Sequence, residues 1–320
     1  MSFEEYTSKM YDLSNIAQRG EIISRSLPDI ARQSSNYIES SENSDSINLA
    51  LNFIATDLLD MARSDLDVLM KIGWFPWVEI SNELSEAFSL MLMGFHKSAI
   101  DCQRRALELS VVASYLSLES ISQEIAKEWI HSKIDTPSFS RAIKELSKNG
   151  FPCAVNNVCN WANKIKEYYW ELCDSVHTKG EKYSGRKINS YAGSYNGIAI
   201  YKFDESQLDV SCKRFTSSVG EIAFICAIAN PISLFGLPIE EKFGINPPAS
   251  GYLQEYQSER LRKIIPMELS SHIIRCAEMD EGCKTTIDWI MSLPDISAEE
   301  FNMQCSEFNH RTGLTKGESL

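Results

Sequence analysis

The sequence lacks the features that define several classes of protein. No apolar run approaches the roughly 18 residues that a membrane-spanning helix needs, and the longest such run covers only residues 222–229. The acidic residues 1–5 carry no apolar core of a secretory signal peptide. We therefore expect a cytoplasmic protein without a membrane segment.

Basic residues and closely spaced cysteines are also scarce. The 31 Lys and Arg residues face 44 Asp and Glu residues, so the formal net charge is −13. This charge excludes a broad basic surface for duplex nucleic acid, but it is compatible with a small basic groove. The nine cysteines of the 320-residue chain contain no Cys-x2-Cys pair, which is typical of free thiols in a reducing compartment. Cys153, Cys159, Cys173 and His177 lack zinc-knuckle spacing, so we expect no metal.

Two catalytic signatures are missing as well. Gly193 and Gly197 are not followed by the Lys-Ser/Thr pair of a phosphate-binding loop. The chain has no Gly-x-Ser-x-Gly nucleophile turn, and it shows no internal repeat. These absences leave no cofactor to be expected.

Helical periodicity dominates the sequence. Apolar residues recur every three or four positions through residues 81–118, and again through residues 155–176. A shorter helix begins near Ser138, and the Asn149-Gly150 pair is typical of its C-terminal end. The pattern predicts a mainly α protein.

One region departs from this pattern. Residues 183–203 are rich in glycine and aromatic residues, with an Asn196-Gly197 turn signal and a strand-like run at residues 198–203. We expect a short β-hairpin near residues 188–203. Residues 236–252 are rich in Gly and Pro and indicate a linker. The sequence thus predicts an N-terminal helical extension at 1–80, a helical core at 81–235 and a C-terminal helical segment at 236–320.

The first candidate site residues lie on the helix predicted at residues 81–118. Arg104 and Glu108 are four residues apart, and Arg105 and Glu108 are three apart, so either pair can form an ion bridge on one helix face. A solvent-exposed, ion-paired face explains this spacing equally well. The pattern alone leaves both interpretations open.

The second candidate group lies at the end of the helix predicted at residues 155–176. Asp174 and His177 are three residues apart, so the carboxylate could orient the imidazole or raise its pKa. A histidine at a helix end is also commonly structural. If the two helices pack together, an arginine and a histidine meet in one cleft.

These two segments resemble HEPN-like (higher-eukaryote and prokaryote nucleotide-binding) helical domains over roughly residues 84–235. Arg104 followed by Ala106-Leu107-Glu108 carries the resemblance, together with Tyr169, Leu172-Cys173 and Val176-His177. The resemblance implies a helical bundle that often dimerises. The compact Arg-x4-6-His signature of the nuclease members is absent around His177, so the arginine would have to be Arg104 or Arg105.

The resemblance implies an RNA-directed effector, in its catalytic form a metal-independent endoribonuclease of bacterial anti-phage or toxin-type defence. His177 would then transfer the proton, Arg104 or Arg105 would stabilise the phosphate charge, and Asp174 or Glu108 would position them. The basic residues after His177, with one aromatic residue, form a candidate RNA-binding rim or an ordinary solvated loop: Lys179, Lys182, Tyr183, Arg186 and Lys187.

A second hypothesis is a non-catalytic HEPN-like sensor or scaffold that binds a nucleotide or a protein partner. Under either hypothesis the expected partners are RNA or a nucleotide, a second copy of the chain in a homodimer, and a protein such as an antitoxin. The two hypotheses differ in what surrounds the arginines. Arginines that share an accessible cleft with His177 favour the enzyme, and burial against Glu108 favours the scaffold.

Overall fold

A computed structural model describes residues 16–62, 72–195, 198–245 and 252–312. The described chain is mainly helical with one small antiparallel sheet, which confirms the predicted mainly α class and the short hairpin. The helices, in chain order, are α1 (Ile16–Ser40), α2 (Ser44–Asn52), α3 (Leu58–Ala62), α4 (Phe75–Leu92), α5 (His96–Ser117), α6 (Gln123–Ile130), α7 (Phe139–Leu146), α8 (Gly150–Cys159), α9 (Trp161–Val176), α10 (Gly185–Ile188), α11 (Glu205–Ala229), α12 (Ile239–Phe243), α13 (Glu255–Ile264), α14 (Met267–Met279), α15 (Glu281–Ser292) and α16 (Ala298–Thr312).

Three shorter helical segments complete the description: a π-helix at Phe53–Asp57 and 3-10 turns at Glu181–Tyr183 and Pro231–Leu234. No helix among the described residues is both long and apolar enough to cross a membrane.

The helix predicted over residues 81–118 is two helices, α4 and α5. The chain breaks at Gly94, which has a φ of 82° that side chains rarely tolerate. The apolar repeat continues through the break, so periodicity alone could not reveal it. Similarly, α7 already ends at Leu146, and Asn149-Gly150 begins α8 instead of ending a helix. Part of the linker predicted at 236–252 is helical in α12, and residues 246–251 lie outside the described part.

The contacts divide the chain into two compact units, each built from stretches that are distant in sequence. The first unit comprises the described residues of Met1–Leu51, Ile80–Glu108 and Ile165–Val219. The second comprises those of Asn52–Glu79, Leu109–Lys164 and Gly220–Leu320. The division at residues 80 and 235 stays a prediction.

The core of the first unit brings four helices together: α4, α5, α9 and α11. Phe88 of α4 packs on Phe215 of α11 with ring centroids 5.6 Å apart. A buried polar chain joins the other helices, because Ser218 donates to the Gln103 side chain at 2.8 Å and Tyr168 bonds the Ser218 hydroxyl at 2.7 Å. Satisfied buried polar groups of this kind fix the alignment of helices that apolar contacts leave adjustable.

The hairpin of the first unit pairs β1 (Tyr191–Tyr195) with β2 (Ile198–Tyr201). Tyr191 lies opposite Tyr201, and a bulge follows at Gly193. The turn predicted at Asn196-Gly197 lies outside the described residues. At the base of the hairpin, the buried His96 Nε2 bonds the Ser190 hydroxyl at 2.8 Å. This bond ties the start of α5 to the segment that precedes β1.

The second unit contains a buried ion pair next to the π-helix. Asp57 is fully buried and accepts two bonds from the Arg260 guanidinium of α13, at 2.5 and 2.6 Å. Gln257 and Thr56 also donate to the same carboxylate, at 3.2 and 2.9 Å. A separate apolar cluster in this unit joins α12 to α15 through Ile232, Leu237, Ile239, Cys283 and Ile290.

Candidate functional site

Arg104 lies on α5 in the first unit and is engaged by its own helix. Its guanidinium donates to Glu108 at 2.9 Å and to Asp101 at 3.3 Å, and the Tyr169 hydroxyl of α9 lies 3.4 Å away. Only 19% of the Arg104 side chain is exposed. The ion pair that the four-residue spacing predicts is therefore present, and it occupies the cation.

Arg105 is engaged more strongly, by a carboxylate on the neighbouring helix. Its guanidinium forms a forked pair with Glu83 of α4, with both N···O distances at 2.7 Å. It also bonds Asp101 and lies 3.2 Å from the Cys102 sulfur. The hydrogen bonds that Arg105 donates to Glu83 raise the pKa of Arg105 above its usual range, so this cation remains charged and held.

His177 stands apart from both arginines. Its side chain is exposed just beyond the end of α9, where its backbone N–H donates to the Cys173 carbonyl at 2.9 Å. Among the described residues, no hydrogen bond or ion pair joins His177 to Arg104, Arg105 or Asp174. The Asp174 carboxylate is paired with Lys179 at 2.8 Å. The structure pairs the Asp174 carboxylate with Lys179, so the contact with His177 that the three-residue spacing allows is not formed.

The predicted basic rim lies on the segment between α9 and β1. We call residues 177–189 the basic segment. The side chains of Lys179, Lys182, Arg186 and Lys187 are exposed there, and Tyr183 is half-buried. Lys182 lies 4.9 Å from the centre of the Tyr183 ring, a cation–π distance.

Sequence reasoning missed Lys97, which anchors the basic segment. The Lys97 ammonium donates to the Thr178 hydroxyl and to the Tyr183 carbonyl, the latter at 3.3 Å. The Lys97 backbone N–H donates to the Asn189 side chain at 2.7 Å. Lys97 is 81 residues from Thr178 in the sequence, so no local spacing pattern could connect them.

A surface pocket of about 410 Å³ lies beside this anchor in the first unit. Its lining includes the two cations Lys97 and Arg105, the acids Glu86 and Asp101, and Val176, which directly precedes His177. Arg105 and the last residue of α9 thus line the same pocket. Arg104 does not line this pocket, so the structure separates the two arginines that the sequence could not distinguish.

Glu83, Glu86 and Cys102 bring three metal-ligand atoms within 4.8 Å of one another. Both Glu83 oxygens already accept bonds from Arg105. Burial raises the pKa of the Cys102 thiol to about 12, so it is protonated at neutral pH. Because metals bind the thiolate, the guanidinium is the better-matched cation for this cluster.

Comparison of the chain with protein families, with curated proteins and with solved structures finds no match. The HEPN-like resemblance accordingly stays a hypothesis that depends on the residues themselves.

Proposed function

We propose that the protein is a non-catalytic HEPN-like helical sensor or scaffold that binds single-stranded RNA through the basic segment. The observation that carries this proposal is the pairing of both candidate arginines with carboxylates. A guanidinium that stabilises a reacting phosphate has to offer its donors to the phosphate. Here Glu83 and Glu108 take the donors of Arg105 and Arg104.

The exposed cations of the basic segment support RNA as the ligand. Lys182, Arg186 and Lys187 are exposed, and Tyr183 beside them offers a ring on which a base can stack. Phosphate contacts of this type provide affinity without chemistry. In a chain of net charge −13, such a local cluster is where an RNA backbone would be attracted.

The test is the binding of a fluorescent single-stranded RNA to the full chain, followed by anisotropy at several salt concentrations. A triple variant, Lys182→Ala, Arg186→Ala and Lys187→Ala, should weaken binding by about tenfold or more and reduce the salt dependence. The matched control, Lys127→Ala, Lys144→Ala and Lys284→Ala, changes the net charge equally and should leave the affinity within about twofold. Equal weakening by the two triple variants would contradict the proposal.

A second candidate function is a metal-independent endoribonuclease, and one observation favours it. His177 is exposed, and its neighbour Val176 lines the pocket that also holds Lys97 and Arg105. In this version His177 takes the proton of a ribose 2′-hydroxyl and a pocket cation stabilises the phosphate, so RNA is cut and DNA is not.

Incubation of wild type and His177→Ala with total RNA and tRNA separates the two candidates. The scaffold predicts intact RNA with both proteins. Cleavage by wild type that is lost in His177→Ala would favour the enzyme. A role in bacterial defence, a homodimer and an antitoxin partner stay predictions of the resemblance under either candidate.

A further inference from the structure

A pocket in the second unit carries polar groups that no described residue satisfies. Its volume is about 430 Å³, within the range of small-molecule sites. Its lining includes Ser114 and Glu119, the apolar Leu146 and Ile228, and Gly150 and Phe151 at the start of α8. This pocket shares no residue with the basic segment or with the pocket beside Lys97.

The start of α8 (Gly150–Cys159) is uncapped. The side chain of Asn149, the residue in the capping position, donates to the Glu145 carbonyl at 2.7 Å and does not bond the first turn of α8. In the described structure, the Gly150 and Phe151 N–H groups have no acceptor. Two free donors at the positive end of a helix dipole form a site for a carboxylate or another small oxyanion.

Ser114 provides an independent observation. Its side chain is 1% exposed, yet its hydroxyl has no hydrogen-bond partner among the described residues. Buried hydroxyls are nearly always bonded, because burial without a partner costs about 1–3 kcal/mol. Since Ser114 lines the pocket, a ligand that enters it would supply the missing partner.

The pocket also has a negative side. Glu119 lines it with an exposed carboxylate, just beyond the end of α5 at Ser117. Ala229, the last residue of α11, lines it as well. The ends of both helices carry the partial negative charge of unpaired carbonyls, which attracts a cation. Leu118 and Pro231 also line the pocket, are partly exposed and offer an apolar wall.

We propose that this pocket binds an α-amino acid with an apolar side chain of about the size of leucine. The carboxylate of the ligand accepts hydrogen bonds from the Gly150 and Phe151 N–H groups and from the Ser114 hydroxyl. The ammonium group pairs with Glu119, and the side chain lies against Leu118 and Pro231. The protein then has a small-molecule site separate from its proposed RNA surface.

The experiment compares three probes that differ by one charged group. L-Leucine, 4-methylpentanoate without the ammonium and 3-methylbutylamine without the carboxylate are titrated into the full chain by calorimetry. Leucine should bind at least about tenfold more tightly than either of the others, since each charge-assisted contact contributes about a factor of ten or more. Equal affinity for either singly charged probe, or no leucine binding at ~10 mM, overturns the proposal.

Two serine variants test the site without relying on loss of fold. Ser114→Ala removes a hydroxyl that has no hydrogen-bond partner among the described residues. It should weaken the binding of leucine by about fivefold or more and leave the unfolding temperature unchanged or higher. Ser258→Ala removes an equally buried hydroxyl that donates to the Ser233 carbonyl and does not line the pocket. It should lower the unfolding temperature and leave the leucine affinity unchanged. Unchanged affinity in Ser114→Ala overturns the proposal.

Glu119→Gln separates the two ends of the ligand. It should weaken the binding of leucine by about tenfold and leave the binding of 4-methylpentanoate unchanged, because only leucine carries the ammonium group. A variant that weakens both probes equally would contradict the assigned orientation.

Discussion

Arg105 and Arg260 make the same forked contact with a carboxylate in two different environments. Arg105 meets Glu83 in the first unit, where the two side chains are 38% and 14% exposed. Arg260 meets Asp57 in the second, where they are 17% and 0% exposed. The distances differ by no more than about 0.2 Å, so the chemistry of the two pairs is nearly identical.

The difference in burial decides what happens to the charge that each pair loses when one partner is removed. Water reaches the partly exposed Arg105 guanidinium and screens its pair with Glu83. Asp57 has no access to water, so removal of Arg260 leaves a buried charge with only the neutral donors Gln257 and Thr56 beside it.

The largest effect is expected for Arg260→Met, which should lower the free energy of unfolding by about 3–5 kcal/mol. Urea unfolding measures this loss. Because the cost arises from the unpaired carboxylate, the double variant with Asp57→Asn should recover a large part of it. A loss below about 1 kcal/mol would show that Asp57 reaches water despite its burial.

Acid should destabilise the protein through His96. Burial lowers the pKa of His96 from 6.5 to about 4, with Asp204 and Arg214 as the charged groups that act on it. Between pH 6.5 and about 4, His96 is therefore protonated in the unfolded chain but not in the folded chain. Stability is complete above pH 6.5 and falls by about 3 kcal/mol as the pH approaches 4.

The His96 effect is measured as a difference between variants, because carboxylates titrate in the same range. The unfolding free energy of His96→Leu should depend less steeply on pH than that of wild type across this window, whatever its stability at neutral pH. Parallel curves for the two proteins would contradict the assignment.

A rise in pH should destabilise the protein through Glu221 in the second unit. Burial raises the pKa of Glu221 to about 7, Glu268 adds to the rise and Lys164 opposes it, and one oxygen of Glu221 has no partner in the described structure. The folded protein holds a proton that the unfolded chain releases above pH 4.5. The stabilising contribution is thus complete below pH 4.5 and is lost as the pH rises through 7.

Glu221→Gln should stabilise the protein above pH 7 by about 2 kcal/mol, since the amide never ionises and partial exposure screens the wild-type charge. Thermal unfolding on either side of pH 7 measures this. Equal stability of the two proteins above pH 7 would count against the burial argument.

The smallest effect is expected for Arg105→Met, at about 1 kcal/mol or less, because the guanidinium is partly exposed and solvent screens its attraction to Glu83. A double-mutant cycle with Glu83→Gln gives the pair energy directly. A coupling as large as that of Arg260 and Asp57 would remove the distinction between the two sites.

Much of the fold follows from local sequence, whereas little of the site does. Ser138 caps α7 as its residue type predicts, and the four-residue spacing of Arg104 and Glu108 gives the ion pair. Glycine can end a helix or begin one, and periodicity does not distinguish these roles. The break at Gly94 therefore leaves no signal in the apolar repeat, and Gly150 begins a helix where its pattern indicates an end. Lys97 and Glu83 meet their partners across different helices, and such tertiary contacts leave no local pattern in the sequence.

The π-helix at Phe53–Asp57 contains one residue more per turn than an α-helix, which sets the direction in which the following side chains point. Its closing bond runs from the Leu58 N–H to the Phe53 carbonyl, one residue wider than in an α-helix. Deletion of Ile54 would regularise the turn and rotate every later residue of that helix by about 100° relative to those before it. The Asp57 carboxylate would then point away from Arg260. The ion pair therefore depends on the extra residue in this turn.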